Sequence, residues 1–182
     1  MTSPRDRLLD TAGELFHREG VGIGVDALCR AAGVSKRSMY QLFESKDDLI
    51  AASLDRRGPA YDALLLPPAG GTPRDRVLHV FRAQDALTGT PDYRGCPLVA
   101  TAVELKDPGH PANAVARRFK QGLTDFFAVE ARAAGVADPH TLAAQLTVVF
   151  DGASARAVVR AEPLAGLGVR TATALLDAAG VP

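Results

Sequence analysis

Tryptophan is absent, and cysteine and methionine each occur only twice in 182 residues. Cys29 and Cys96 lie far apart, and the four histidines, His17, His79, His110 and His140, are equally scattered, so no metal-ligand spacing exists and no zinc site or other cofactor site can be argued. No uninterrupted apolar run approaches the roughly 20 residues that a membrane span needs, so the expectation is a soluble chain with no membrane partner. Excess charge is lacking too: the formal net charge is zero. A protein that binds nucleic acid is usually basic as a whole, because positive charge attracts phosphate over long range. The position of the cations matters more here than their sum. Lysine occurs only at 36, 46, 106 and 120. Two of these lysines, with Arg37, flank a single short segment.

What is present is ordinary globular composition, 47% apolar and 23% charged, on a chain long enough for one domain or for a small module joined to a medium-sized one. The stretch ending at Asp10 is polar and acid-containing, without the basic-then-apolar layout of a secretory signal, so the expected location is the cytoplasm. Preference for Ala, Gly, Arg and Val suggests a GC-rich coding sequence and hence a bacterial source.

The apolar positions recur at helical spacing, and no period-2 strand pattern stands out. Ser3-Pro4-Arg5-Asp6 has a capping serine, a proline in the first turn and an acid behind it, and Gly20 stops the helix they open. Further helices are expected over 25–32 and 36–43, and a fourth opens at Ser45, with Asp48 in the capping-box position. Gly58-Pro59 is expected to interrupt or end that fourth helix, and 66–71 to be a loop. Proline and glycine signals bound five more, at 73–88, 96–106, 111–134, 138–161 and 168–179. The fold class is therefore all-α with about nine helices, divided as an amino-terminal three-helix unit with a helix-turn-helix (1–50) and a carboxy-terminal helical bundle (51–182).

Residues 25 to 43 carry the chemistry. Two short helices are joined by Ala32-Gly33-Val34-Ser35, a turn of the length that sets helices at a steep angle, with Gly33 in the left-handed conformation. Leu28, Ala31, Val34, Met39 and Phe43 are expected to pack with Leu15 and Phe16. That leaves Lys36, Arg37, Ser38, Tyr40 and Gln41 facing outward, after Ser35. Cations, a hydroxyl, a phenol and an amide on one face suit phosphate and base-edge contacts in the major groove. Lys46 opens the fourth helix, where a cation opposes the helix dipole and so invites a functional reason.

The run Gly33-Val34-Ser35-Lys36-Arg37-Ser38-Met39-Tyr40-Gln41-Leu42-Phe43-Glu44-Ser45-Lys46-Asp47-Asp48-Leu49 resembles the signature of the tetracycline-repressor (TetR) family. Its lead-in does so too, through Ala12, Leu15-Phe16, Gly20 and Asp26-Ala27-Leu28. Arg94-Gly95-Cys96-Pro97-Leu98-Val99-Ala100 and Asp151-Gly152-Ala153 are similar, more weakly, to segments of some regulatory domains of that family. The resemblance implies a homodimer with two DNA-reading heads, a small-molecule effector site in the helical body and dimerisation through the last two helices. It implies phosphate or base contact at Ser38 and backbone contact at Tyr40 and Lys46, and it leaves Lys36 and Arg37 at positions that influence operator choice. Gly24 and Val25 stand where Thr or Ser commonly meets phosphate, and Leu42 replaces a frequent aromatic or histidine, which implies fewer contacts than in many relatives.

In the body, Phe81, Cys96, Phe119, Leu123 and Phe126 are the candidate lining of an effector site between helices. His79, Gln84, Tyr93 and Glu104 suit ligand orientation or a solvated face equally well. Cys96 begins a helix, where a thiolate is stabilised, but a lone cysteine more often packs as a small apolar residue. Leu146, Val149, Gly152, Ala153 and Arg156, in a stretch rich in small residues, are the candidate dimer contacts. Two other readings stay open: a helical module that docks protein, and an enzyme. Against the enzyme, no nucleophile, base and orienting group stand together at a readable spacing.

Overall fold

The computed structural model describes residues 3–182. Met1 and Thr2, the start of the polar amino-terminal stretch, lie outside them. Among the described residues the chain forms nine helices and no strand: α1 Pro4–Glu19, α2 Val25–Ala32, α3 Lys36–Leu42, α4 Lys46–Leu65, α5 Pro73–Thr88, α6 Pro97–Leu105, α7 Pro111–Ala133, α8 Pro139–Arg160 and α9 Leu167–Ala178. Local chemistry sets most of the starts. Ser3, Ser35, Ser45, Thr72 and Asp138 each accept, on a side-chain oxygen, the amide of the residue three further on. Each bond satisfies one of the donors that a helix leaves unpaired at its first turn.

Gly58-Pro59 does not stop α4, which runs on to Leu65. The proline removes one hydrogen bond from the helix, but Leu54 before it and Leu65 after it are each buried, and burial holds both halves helical. The glycine answers to tertiary packing instead: a Cβ at residue 58 would lie 1.9 Å from Cζ of Phe119.

Contacts divide the chain into two compact units, one of residues 1–59 and 97–119, the other of residues 60–96 and 120–182. α4 and α7 each supply residues to both. The first unit is built on Leu8, Leu9, Ala12, Leu28, Met39, Leu49 and Ile50, all buried, with α1 packed on α2, α3 and α6. Ala31 is exposed and Ala32 takes the inward place, one residue along from the expected packing position. Arg56 of α4 bridges Asp6 and Asp10 of α1 at 2.8 and 2.6 Å.

The second unit encloses a larger apolar core from α5, α7, α8 and α9. Phe81 lies at its centre, stacked on Phe127 at 5.8 Å between centroids and edge-on to Phe150 at 6.3 Å. Gln84, only 1% exposed, donates from Nε2 to the Phe150 carbonyl and to Ser154 Oγ, both at 2.7 Å, which ties α5 to α8. The connection from α8 to α9 holds two alanines in the left-handed region, Ala161 (φ 52°) and Ala165 (φ 50°), followed by Gly166 (φ 77°). By length and composition alone α8 would suffice to cross a membrane, although Gln145, Asp151 and Arg156 interrupt its apolar residues, and 33% of its most apolar stretch is buried. Much of that apolar surface faces outward: Val148 is 71% and Val159 83% exposed.

Candidate nucleic-acid interface

Gly33 makes the turn. Its backbone is left-handed (φ 64°, ψ 37°), and its amide closes on the carbonyls of Arg30 and Cys29, so α2 ends and the chain reverses into α3. Ser35 then caps α3: its Oγ accepts the Ser38 amide at 3.0 Å, and the two hydroxyls lie 2.8 Å apart. Met39 is fully buried and Phe43 nearly so, which pins one side of α3 to the first unit's core. The opposite side follows from the helical period. Lys36, Arg37, Tyr40 and Gln41 are exposed, Tyr40 to 48%, while Ser35 stands exposed at the start and Ser38 is half-buried.

The sequence reading of this face therefore agrees with the geometry at Lys36, Arg37, Tyr40 and Gln41, which are brought together on one short helix. The two serines are partly occupied with each other, so they shape the helix start as well as offering hydroxyls. Lys36 pairs with Asp26 at 3.2 Å, both ends well exposed, a contact weak enough in water to give way to a phosphate. Lys46 has a partner that the sequence did not reveal: its ammonium donates to the Val21 carbonyl, in the loop between α1 and α2. The cation at the start of α4 thus has a local structural role, and two of its three donors stay available.

Sequence reasoning missed Arg5, which is exposed and holds its guanidinium 5.3 Å above the ring of Phe43. It missed His110 as well, whose buried Nε2 lies 3.3 Å from Asp47 Oδ1 while Nδ1 accepts the Ala112 amide. Nothing local in the sequence announces either pair. Cys29 is buried as expected, and burial pushes its thiol pKa up.

The body candidates separate. Phe81, Cys96, Leu123 and Phe126 belong to the second unit, whereas Phe119 belongs to the first and packs on Gly58. Both faces of the expectation for Phe81 are answered by aromatic neighbours, since Phe127 and Phe150 fill the space around its ring. A hollow in the second unit is lined by Val77, Glu130, Leu142, Leu146 and Leu176 among others, and includes none of these candidates. Tyr61 is half-buried, and burial, with Cys96 nearby, drives its pKa far above the usual phenol range. Among the candidate dimer contacts Leu146 requires correction: it is fully buried in the second unit's own core and offers no surface to another molecule. Val149, Ala153 and Arg156 are half-buried, and Gly152 is exposed with nothing near its open side.

A left-handed glycine joining two short helices, with a polar, cationic face on the second and a third helix bracing both, defines an all-α helix-turn-helix protein. Residues 8–53 match the family described as bacterial regulatory proteins, tetR family. The whole chain superposes on a TetR transcriptional regulator of Streptomyces avermitilis with a TM-score of 0.96 and 56% identity, covering 100% of both chains. The chain belongs to the TetR family. A TetR-family transcriptional regulator of Streptomyces coelicolor shares 26% identity with a TM-score of 0.83, over 97% of this chain and 95% of that one. The HTH-type transcriptional repressor NemR of Escherichia coli is 34% identical over 110 residues, 57% of this chain and 54% of NemR. The chain is thus matched across about half the length of this curated relative.

Proposed function

We propose that the chain is a one-component transcriptional repressor rather than an enzyme: a cytoplasmic homodimer that reads a pseudo-palindromic operator and releases it when a small-molecule effector binds. The observation that carries the reading is the outward side of α3. There Lys36, Arg37, Tyr40 and Gln41 stand exposed on a helix anchored by Met39, so the polar side chains project from a rigid base into a groove. Ser35, Ser38 and Lys46 supply phosphate contacts at its margins. Two such helices related by a two-fold axis would meet successive major grooves about 34–36 Å apart.

The exposed apolar side of α8 supports the homodimer. Val148, Gly152, Ala155 and Val159 lie on one outward stripe, and Thr171, Ala174 and Ala178 are outward on α9. An exposed apolar surface of this kind costs solubility unless something covers it, and a second copy of the same two helices makes a self-complementary contact. Gly152, Ala153 and Arg156 remain the proposed contacts, with Val149 at their edge. The effector is assigned to the second unit, with Cys96, Leu123 and Phe126 as its proposed neighbours. Binding there would favour a dimer whose heads are wrongly spaced for the operator.

The test is selection of binding sites from a random duplex pool by the full chain, followed by titration of the enriched sequence at several salt concentrations. An inverted repeat should emerge, and if roughly six phosphates are neutralised per dimer the log–log salt slope should be about −5. Failure to enrich any sequence, or binding indifferent to salt, would overturn the reading.

A further inference from the structure

The five-residue loop between α1 and α2, residues 20–24, is gripped from two sides. On one side Glu104 of α6 accepts the Gly22 amide on Oε1 at 3.2 Å. Its carboxylate lies close to Gly20 as well, where a Cβ would stand 2.8 Å from Oε1 and 3.0 Å from Oε2, so a side chain there would displace the carboxylate, and the backbone itself, at φ 89°, favours glycine. On the other side Lys46 of α4 donates to the carbonyl of Val21, between them. Gly20, Val21 and Gly22 are therefore each touched by a charged side chain from a helix distant in sequence.

This loop decides where α2 begins. α2 ends in the Gly33 turn, and that turn fixes the direction of α3, so a shift at Gly22 is carried to Tyr40 by two short, stiff helices. We propose that Glu104 is a positioning residue for DNA reading: with Lys46 it clamps the loop that sets α2 and α3 against the start of α4. The proposal rests on the repressor reading above.

Charge makes the idea testable. Glu104 is exposed and negative, and a carboxylate close to a DNA-reading module weakens attraction to a polyanion. Its removal should tighten binding if electrostatics were its only influence. A positioning role predicts the opposite sign for the variant that loses the hydrogen bond. Glu104→Gln removes the charge but keeps an oxygen able to accept the Gly22 amide; Glu104→Ala removes both.

The experiment compares the full-length wild type with E104Q and E104A on the duplex enriched by the wild type, using fluorescence anisotropy. Hydrogen exchange at the Gly22 amide and the thermal midpoint are measured alongside. E104Q should match the wild type or bind slightly tighter, whereas E104A should bind roughly 5- to 10-fold more weakly than E104Q. In E104A the Gly22 amide should exchange faster, with the thermal midpoint nearly unchanged because the residue is on the surface. Equal affinity of E104A and E104Q overturns the proposal, as does unchanged exchange at Gly22. If the wild type enriches no sequence, the repressor reading fails and takes the positioning role with it. If it does enrich one and the two variants do not differ, only the positioning role fails.

Discussion

Gly58 of α4 lies flat against the ring of Phe119, so close that a methyl group at residue 58 would sit 1.9 Å from Cζ and 2.4 Å from both Cε atoms. To admit that methyl the half-buried Phe119 ring would have to move as a rigid body, which costs more than bending the tip of a long flexible chain. Gly58→Ala should therefore destabilise the protein by about 1–3 kcal/mol, the usual cost of overpacking, in urea unfolding. Adding Phe119→Leu should recover part of the loss. Additive effects of the two changes would show that the contact is not the reason for the glycine.

Gly168, in the first turn of α9, presents the contrary case. A Cβ there would meet Gln84 Oε1 and Phe81 Cδ1 at 3.6 Å, ordinary van der Waals contact, and its backbone does not need glycine. Gly168→Ala should stabilise by about 0.5–1 kcal/mol through helix propensity, seen as a raised denaturation midpoint. A lowered midpoint would mean that Gln84, whose Oε1 has no hydrogen-bond partner, needs the open space beside it.

Asp62 on α4 titrates against its surroundings: burial raises its carboxyl pKa, partly offset by Lys120. The folded state then holds its proton at a pH where the unfolded chain has released it. Stability contributed at this site is accordingly highest below the unfolded value near 3.9 and falls as pH rises toward the folded value. Asp62→Asn should remove that slope. The stability of the variant minus that of the wild type should grow from about pH 4 upward and then level off, in unfolding curves taken across the range. A difference that shrinks with pH would show Lys120 to be the stronger influence.

Gly152 offers a clean test of the proposed dimer, because nothing within this chain comes within 4 Å of a Cβ placed there. Gly152→Leu should leave the protomer's fold intact by circular dichroism, yet shift sedimentation toward the monomer and weaken operator binding by at least tenfold. A dimer unaffected by the leucine would place the interface elsewhere.

Arg37 and Tyr40 should separate specificity from affinity. Arg37→Ala is expected to alter which duplexes are enriched from a random pool, since a guanidinium at the start of a recognition helix reads base edges. Tyr40→Ala is expected to weaken every duplex alike, in parallel titrations.

The helix starts were legible in the sequence because a cap is local: Ser35 and Ser38, or Asp138 and Thr141, are three residues apart in the chain and meet wherever the helix forms. The recognition face was legible for a related reason, since burying Met39 fixes by helical period which residues must turn outward. Contacts between distant residues were not. Gly58-Pro59 reads as a helix break until Phe119 is seen on it, and Leu146 reads as interface until the second unit's core closes over it. Lys46 reads as an unexplained cation until Val21 appears, 25 residues away. Glu104 meets Gly22 across 82 residues, and no spacing rule reaches that far.

The turn between α8 and α9 bends through alanine at two places where the backbone favours glycine, Ala161 and Ala165. An alanine held left-handed costs on the order of 1–2 kcal/mol, and the greater freedom of an unfolded glycine returns only part of the gain from replacing it. Every alanine codon is one base change from a glycine codon. The gene thus stands a single nucleotide, twice over, from a sturdier hairpin that natural drift or a directed screen can reach without touching the reading head.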